Sequence, residues 1–235
     1  MTGEIMKYDK IIKYTAKEAM ALVVDYLKLE SIQTIEILSL ETLKICQKHN
    51  ENEENSKKIE WNLENFDITI ADSRAVLEAA GFTGQTLLEE TLLKEAESQL
   101  FMKMFMRYLH RNHVKVFLLA ENEAVLEDMK KNIFEYSSGI KIVETATMET
   151  HGISDDMILN LINGVEADCI LADISTPLQQ EFIMRNRMLI NAKLWVGLGD
   201  QTLKKCKIKK LQKNEKYLEK MSNVLRKITN YFNKK

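Results

Sequence analysis

Turn-forming residues are scarce in this chain of 235 residues, which has one proline, Pro177, and eight glycines. So low a content excludes collagen-like and linker-rich chains, and it disfavours all-β folds that need a turn every few residues. Cysteine is scarcer still: Cys46, Cys169 and Cys206 are odd in number and lie far apart. The sequence therefore predicts neither a disulfide framework nor a zinc site, and it fits a reducing cytoplasm.

Long apolar runs are also missing. No stretch reaches the roughly 18 uninterrupted apolar residues that indicate a transmembrane helix. The first 14 residues alternate charged and apolar side chains and lack the apolar centre of a signal peptide. Hydrophobic residues nevertheless make up 45% of the chain and charged residues 29%, which is enough to bury a core. The composition predicts a globular cytoplasmic protein.

The net charge of −2 hides a strong asymmetry along the chain. Residues 203–235 contain 12 Lys or Arg and 2 Asp or Glu, so this tail carries +10 and the remainder carries −12. Its apolar residues recur at helical spacing opposite a lysine-rich face. They are Ile208, Leu211, Leu218, Met221, Leu225, Ile228 and Phe232. Two interpretations stay open: an amphipathic helix on an anionic membrane, or a terminal helix packed on the acidic body.

Strand and helix patterns alternate along the body, which predicts an α/β, Rossmann-like fold. Its mostly parallel sheet should carry helices on both faces. We assign residues 1–202 to this domain and 203–235 to a basic C-terminal helical appendage. The predicted strands end at about Leu40, Ala71, Leu119, Thr145, Ile174 and Leu198. Such sheets bind ligands at the carboxyl ends of their strands.

Several helix starts and stops have clear signals. Thr15 and Glu18 have the capping-box spacing, and Asn122 is typical of an N-cap. The helical pattern from Leu87 to His110 predicts one break. Thr176-Pro177 should open a helix that runs to about Ile190. Gln179 has the spacing to bond back to the Thr176 N–H as in a capping box, and a ligand role for Gln179 stays equally open.

Four stretches carry motifs in a specific order: NFDITIADSRAVLEAAG, VKVFLLAENEAVLEDMKKNI, EADCILADISTPLQQEFIMRN and LWVGLGD. From about Tyr14 to Phe232 this order resembles the WecB/TagA/CpsF family of bacterial glycosyltransferases (glycosyltransferase family 26), as a divergent member. Glycines that the family has at its turns are Ser73, Ala120 and Asp173 here, and the Thr-x-Asn region becomes Ile37-Leu38-Ser39. Larger and acidic side chains at those turns disfavour the close approach of a diphosphate.

The resemblance marks Asp72 as the catalytic residue, a general base that deprotonates the acceptor hydroxyl. From the residues alone, Asp72 is equally an N-cap of the helix that follows. The resemblance also marks substrate-binding residues at Ser39, Gln179, Gly197, Gly199 and Asp200. A tight strand exit explains the two glycines as well as a ligand does, and turn aspartates such as Asp200 are common.

The resemblance implies an inverting transfer of an N-acetylhexosamine from a UDP-sugar to a polyprenyl-diphosphate-linked acceptor at the inner membrane face. It implies no cofactor and no metal, and His110 and His113 lack a second ligand pair. A catalytically degenerate binding or assembly partner is the alternative, because the turn glycines are replaced. A nucleic-acid partner is disfavoured since the body has no basic groove. A homo-oligomer stays open.

Overall fold

The computed structural model of the protein describes residues 12–51, 63–149, 154–199 and 203. These residues form eight α-helices and six β-strands. The strands are β1 (Gln33–Leu38), β2 (Ile68–Ala71), β3 (Lys115–Ala120), β4 (Lys141–Thr147), β5 (Cys169–Asp173) and β6 (Leu194–Gly197). The helices are α1 (Ala16–Tyr26), α2 (Leu40–Glu51), α3 (Arg74–Ala79), α4 (Leu87–Ser98), α5 (Leu100–Arg111), α6 (Glu123–Tyr136), α7 (Asp155–Gly164) and α8 (Leu178–Asn186).

The six strands form one sheet in the order β2-β1-β6-β5-β3-β4, and every neighbouring pair is parallel. The predicted α/β, Rossmann-like class is therefore confirmed. The last of the described strands, β6, lies in the middle of the sheet between β1 and β5.

Both faces of the sheet are buried except along the edge strand β4, which explains why the inner strands are almost continuously apolar. Side chains alternate between the two faces along a strand. In β3, Phe117 and Leu119 pack under one set of helices, whereas Val116, Leu118 and Ala120 pack under the other. Residues from α2, α3, α4, α7 and α8 cover the first face, and residues from α1, α5 and α6 cover the second.

Three local predictions are confirmed. Thr15 and Glu18 form a reciprocal capping box at the start of α1. The Asn122 side chain accepts a hydrogen bond from the Val125 N–H at the start of α6. The long helical pattern breaks once, at Gln99, which separates α4 from α5.

Helix α8 begins next to Thr176-Pro177 as predicted, but the predictions of its capping box and of its C-terminal end are wrong. Its N-cap, Pro177, makes no side-chain capping bond, so the capping box with Thr176 does not form. The helix ends at Asn186, and only a short 3₁₀ turn follows. The Asn186 amide donates to the Phe182 carbonyl and to Asp155, and such side-chain bonds compete with the helical backbone pattern. The β2 strand ends at Ala71 as predicted, and the other strand ends differ from prediction by one or two residues, which is the usual margin.

The chain order defines where a ligand would enter. Strands β5 and β3 are neighbours, but the chain leaves them in opposite directions along the sheet: from β5 to β6 on one side and from β3 to β4 on the other. The direction of the connections therefore reverses between β5 and β3. Ligands of open α/β sheets bind outside the carboxyl ends of strands at such a reversal.

No helix formed by residues 12–51, 63–149 or 154–199 has the length and hydropathy to cross a membrane. The predicted tail helix lies outside the described residues.

We expect Leu118→Ala to lower the free energy of unfolding by about 2–5 kcal/mol, because it opens a cavity at a fully buried position in β3. Leu87→Ala is the matched control, since Leu87 is 81% exposed and the same truncation should cost less than about 0.5 kcal/mol. Urea denaturation measures both values. Equal losses in the two variants would contradict this description of the core.

Candidate active site

Candidate residues from four neighbouring strands meet at one edge of the sheet. Asp72 follows β2, Ser39 follows β1, Gly197 ends β6, and Gln179 lies shortly after β5. All four strands run in the same direction, so these positions share the carboxyl edge. Gly199 is buried just beyond β6, and Asp200 lies outside the described residues.

Asp72 is held firmly at this edge. Its backbone N–H donates to the Leu38 carbonyl at 3.0 Å, and its own carbonyl accepts from the Gln99 amide at 2.6 Å. Its side chain is only 4% exposed. The N-cap of α3 is Ser73, so the interpretation of Asp72 as that cap is wrong.

Asp72 borders a small cavity that we call the Asp72 chamber. Its volume is about 40 Å³, and it lies between β2, α4, the start of α5 and the segment before α1. Most of its lining is apolar: Ile12, Ala16, Ile37, Ile70, Ala71, Leu77, Leu92, Ala96, Leu100, Phe101 and Met102. The polar lining residues are Asp72, Gln99, Glu95 and Tyr14. Glu95 also accepts a hydrogen bond from the Ala16 backbone N–H at 2.7 Å.

A second polar cluster surrounds Glu36, a residue of β1 that is 1% exposed. The Gln180 amide donates to Glu36 Oε1 at 2.6 Å, and the Gln179 amide nitrogen lies 3.5 Å from both carboxyl oxygens. Burial raises the pKa of Glu36 to about 8, and the hydrogen bonds from Gln180 and Gln179 oppose that rise. A carboxyl group in such a site is largely protonated at neutral pH.

Gly197 is required by this Glu36 cluster. It lies opposite Glu36 in the register of β1 and β6. A Cβ atom at position 197 would overlap Glu36 Oε2 and Gln179 Nε2. The missing side chain therefore makes room for two buried polar groups of the protein itself.

Both polar ends of the Gln179 side chain are engaged within the protein. Its Oε1 accepts from the Ile174 backbone N–H at 3.3 Å, its Nε2 faces Glu36, and it is 1% exposed. In this conformation the Gln179 side chain holds the backbone just after β5 through the Ile174 N–H. The prediction that it contacts a substrate stays a prediction.

Ser39 joins the Glu36 cluster through a chain of hydroxyl groups. Its Oγ lies 3.1 Å from the Thr42 hydroxyl, which lies 2.9 Å from the Thr176 hydroxyl. Thr176 in turn accepts from the Gln180 amide at 3.3 Å. The candidate residues therefore divide into two groups: Ser39, Gln179 and Gly197 belong to the Glu36 cluster, and Asp72 belongs to its own chamber.

A carboxylate lies at the reversal between β5 and β3. Glu121 follows β3, and its Oε2 accepts from the Ser175 backbone N–H at 2.9 Å. Its backbone N–H donates to the Asp173 carbonyl at 3.0 Å. A backbone N–H at the end of a parallel strand is a donor that a phosphate would use. Here Glu121 already occupies it.

Sequence reasoning missed Glu36 and Gln99. The signal for Glu36 was a single charge inside the buried strand TIEIL, where a carboxylate needs hydrogen-bond partners. The signal for Gln99 was the predicted break between two helices. Among the described residues, no group of three His, Cys, Asp or Glu side chains is arranged to hold a metal ion.

A family model described as the glycosyl transferase WecG/TagA/CpsF family matches residues 6–202. The match covers most of the chain and all six strands, and it agrees with the resemblance carried by the sequence motifs. The chain belongs to this glycosyl transferase family. No curated protein sequence matches it.

We expect Glu36→Gln to change how stability depends on pH. The unfolded chain releases the Glu36 proton near the ordinary value of 4.5, whereas the folded protein holds it to about 8. Between these values the folded state binds more protons, so its stability falls as pH rises, by up to about 1.4 kcal/mol per pH unit. The full contribution is present below about pH 4.5 and lost through about pH 8.

Urea denaturation from pH 5 to 8.5 tests this expectation. The free energy of unfolding of Glu36→Gln should rise relative to that of the unaltered protein as pH increases. Glu123→Gln on the exposed start of α6 is the matched control and should run parallel to the unaltered protein. Parallel curves for Glu36→Gln as well would contradict the raised pKa of Glu36.

Proposed function

We propose that this family member is an inverting glycosyltransferase with Asp72 as its general base. It moves an N-acetylhexosamine from a UDP-sugar to a polyprenyl-diphosphate-linked acceptor in cell-surface polysaccharide synthesis. The observation that supports this most is the position of Asp72. It follows β2 at the carboxyl edge of the sheet and borders a mainly apolar chamber within a fold of the glycosyl transferase family.

The proposed chemistry needs a carboxylate at this point. In an inverting transfer the acceptor oxygen attacks the anomeric carbon as the bond to the leaving UDP breaks. The acceptor proton must pass to a base as that bond forms. A base in a mainly apolar chamber meets little competing water, which protects the activated sugar from hydrolysis. The backbone bonds of Asp72 to Leu38 and Gln99 fix where that base lies.

The donor would lie along the neighbouring strand ends. In this proposal Ser39 and Gly199 line the nucleotide-sugar site, and Gly197 and Gln179 support it from within the Glu36 cluster. The predicted donor contact of Asp200 lies outside the described residues. The UDP phosphates would take the place of the Glu121 carboxylate at the Ser175 N–H, so Glu121 must swing away when donor binds. No metal ion is assigned to this step.

A second candidate function is a catalytically degenerate partner protein. The hydrogen bond from Ser175 to Glu121 favours it, because a carboxylate occupies a backbone donor that a phosphate would need. Like charges at that point repel a diphosphate. Binding of UDP separates the two candidates, since only the transferase must bind it.

The acceptor implies a location at the inner membrane face, with the basic tail as the membrane contact. The tail carries +10 against a body of −12. Positively charged segments are attracted to anionic lipid surfaces, with about 1 kcal/mol for each basic residue near the surface. A peripheral cytoplasmic enzyme with this tail would meet its lipid-linked acceptor without a membrane-spanning helix.

We expect Asp72→Asn to lower turnover by about 10²- to 10⁴-fold while UDP binding stays nearly unchanged, because the amide cannot take the acceptor proton. Release of UDP measures turnover, and isothermal titration calorimetry measures binding. Asp156→Asn on the exposed first turn of α7 is the control. Unchanged turnover in Asp72→Asn would remove Asp72 from the mechanism. An unaltered protein that neither turns over nor binds UDP would favour the degenerate partner.

Removing residues 204–235 should abolish binding to anionic vesicles. The cut keeps Leu203, which is buried in the core, so the body should keep its melting temperature. Binding of the full chain should weaken as salt rises, because the Debye length falls to about 3 Å at 1 M. Vesicle co-sedimentation with anionic and neutral lipids measures both effects. A truncated chain that melts at lower temperature, together with a full chain that ignores vesicles, would support a tail packed on the body.

A further inference from the structure

Gln99 has an unusual backbone conformation at the junction of α4 and α5. Its φ of 54° and ψ of 41° lie in the left-handed region, which glycine adopts without strain and glutamine does not. It is also only 6% exposed. Glycine would adopt this conformation at the helix junction with less strain than glutamine. The presence of glutamine therefore points to a role for its side chain.

The Gln99 amide is held in one orientation. Its Nε2 donates to the main-chain carbonyl of Asp72 at 2.6 Å. Turning the amide over would bring two oxygens together, so Oε1 must face the other way. That Oε1 is buried and has no hydrogen-bond partner among the described residues. A buried acceptor without a donor is unfavourable, and Gln99 is one of the residues that line the Asp72 chamber.

We propose that Gln99 is a substrate-binding residue whose Oε1 accepts a hydrogen bond from a hydroxyl or amide N–H of the sugar acceptor. This inference rests on the proposed function, since it places the acceptor in the chamber that Asp72 borders. A hydroxyl group has one proton to donate. Asp72 takes that of the reacting hydroxyl, and Gln99 therefore binds a neighbouring group on the same sugar.

The size of the chamber suits this role. About 40 Å³ is several times the room that one water molecule needs, so the chamber admits the hydroxyl-bearing edge of a ligand. It is too small for a complete nucleotide sugar. Its apolar walls, such as Phe101 and Leu92, can pack against the C–H groups of a sugar ring.

The charges of the chamber disfavour an anionic ligand. Asp72 and Glu95 are the ionisable carboxyl groups in its lining, and the described lining residues include no Lys, Arg or His. Phosphate oxygens would meet repulsion with no cation to offset it. The chamber therefore takes the sugar end of the acceptor, and the diphosphate of either substrate lies outside it.

The test uses the full-length protein and methyl N-acetyl-β-D-glucosaminide as the probe. In two-dimensional NMR the side-chain amide signals of Gln99, assigned by their loss in Gln99→Met, should shift saturably as the probe is added. Gln99→Met keeps a side chain of similar length and should weaken probe binding about tenfold. Gln85→Met, at an exposed glutamine before α4, should leave it unchanged. No saturable shift, or equal affinity in Gln99→Met, would overturn the proposal.

Kinetics separates this inference from the proposed function. If the protein transfers sugar, Gln99→Met should raise the acceptor KM about tenfold and leave the donor KM unchanged. Transfer with an unchanged acceptor KM would reject the role of Gln99 and leave the transferase intact. Probe binding that depends on Gln99 without any transfer would support the site and reject the transferase. If a thermal melt shows that Gln99→Met does not fold, Gln99→Asn replaces it. Asparagine tolerates the left-handed region, and its side chain is one methylene shorter, so its amide no longer reaches the same position.

Discussion

The parallel pairing of β1 with β6 is the interaction on which the rest of the structure depends. It joins the β2-β1 pair to the β6-β5-β3-β4 portion of the sheet, so two distant parts of the chain become one sheet. It also aligns the carboxyl ends of β2, β1, β6 and β5, from which the candidate site residues project. Gly197 stands opposite Glu36 in this pairing, and the space it leaves holds the Glu36 carboxyl group.

Glu36 shows how a buried polar group can be accommodated at such a centre. Isolation from water is costly for a carboxylate, and the raised pKa keeps the group mostly neutral. The Gln180 and Gln179 amides and the missing side chain at Gly197 complete its surroundings. The same residues fix the path of the chain after β5. The cluster thus links the stability of the sheet to the shape of the proposed donor site.

The fold was largely predictable because its signals are local. Six apolar strands between helical patterns gave the parallel sheet, and the capping residues Thr15 and Asn122 gave two helix starts. Asp72 was predictable as a residue at a strand end, and its family motif suggested a role. The family match to residues 6–202 agrees with those motifs.

The contacts of the candidate site were harder to predict because they depend on residues far apart in sequence. The sequence spacing allows Gln179 to bond back to Thr176, yet Glu36 and the Ile174 N–H are its partners. Pairing of β1 with β6 brings Glu36 there, and no local pattern contains that information. Gln99 was likewise visible only as a helix break. Its contact with Asp72 joins residues 27 positions apart.

The central place of β6 also affects how the chain is made. Strand β1 leaves the ribosome early, but its partner on one side, β6, follows only after every other strand. Until residues 194–197 emerge, the apolar edges of β1 and β5 have no neighbour between them. Contacts between such distant segments form slowly, and unpaired strand edges favour aggregation in the meantime. During synthesis in a cell, the nascent β1-β2 pair therefore benefits from protection until β6 pairs with β1 and β5.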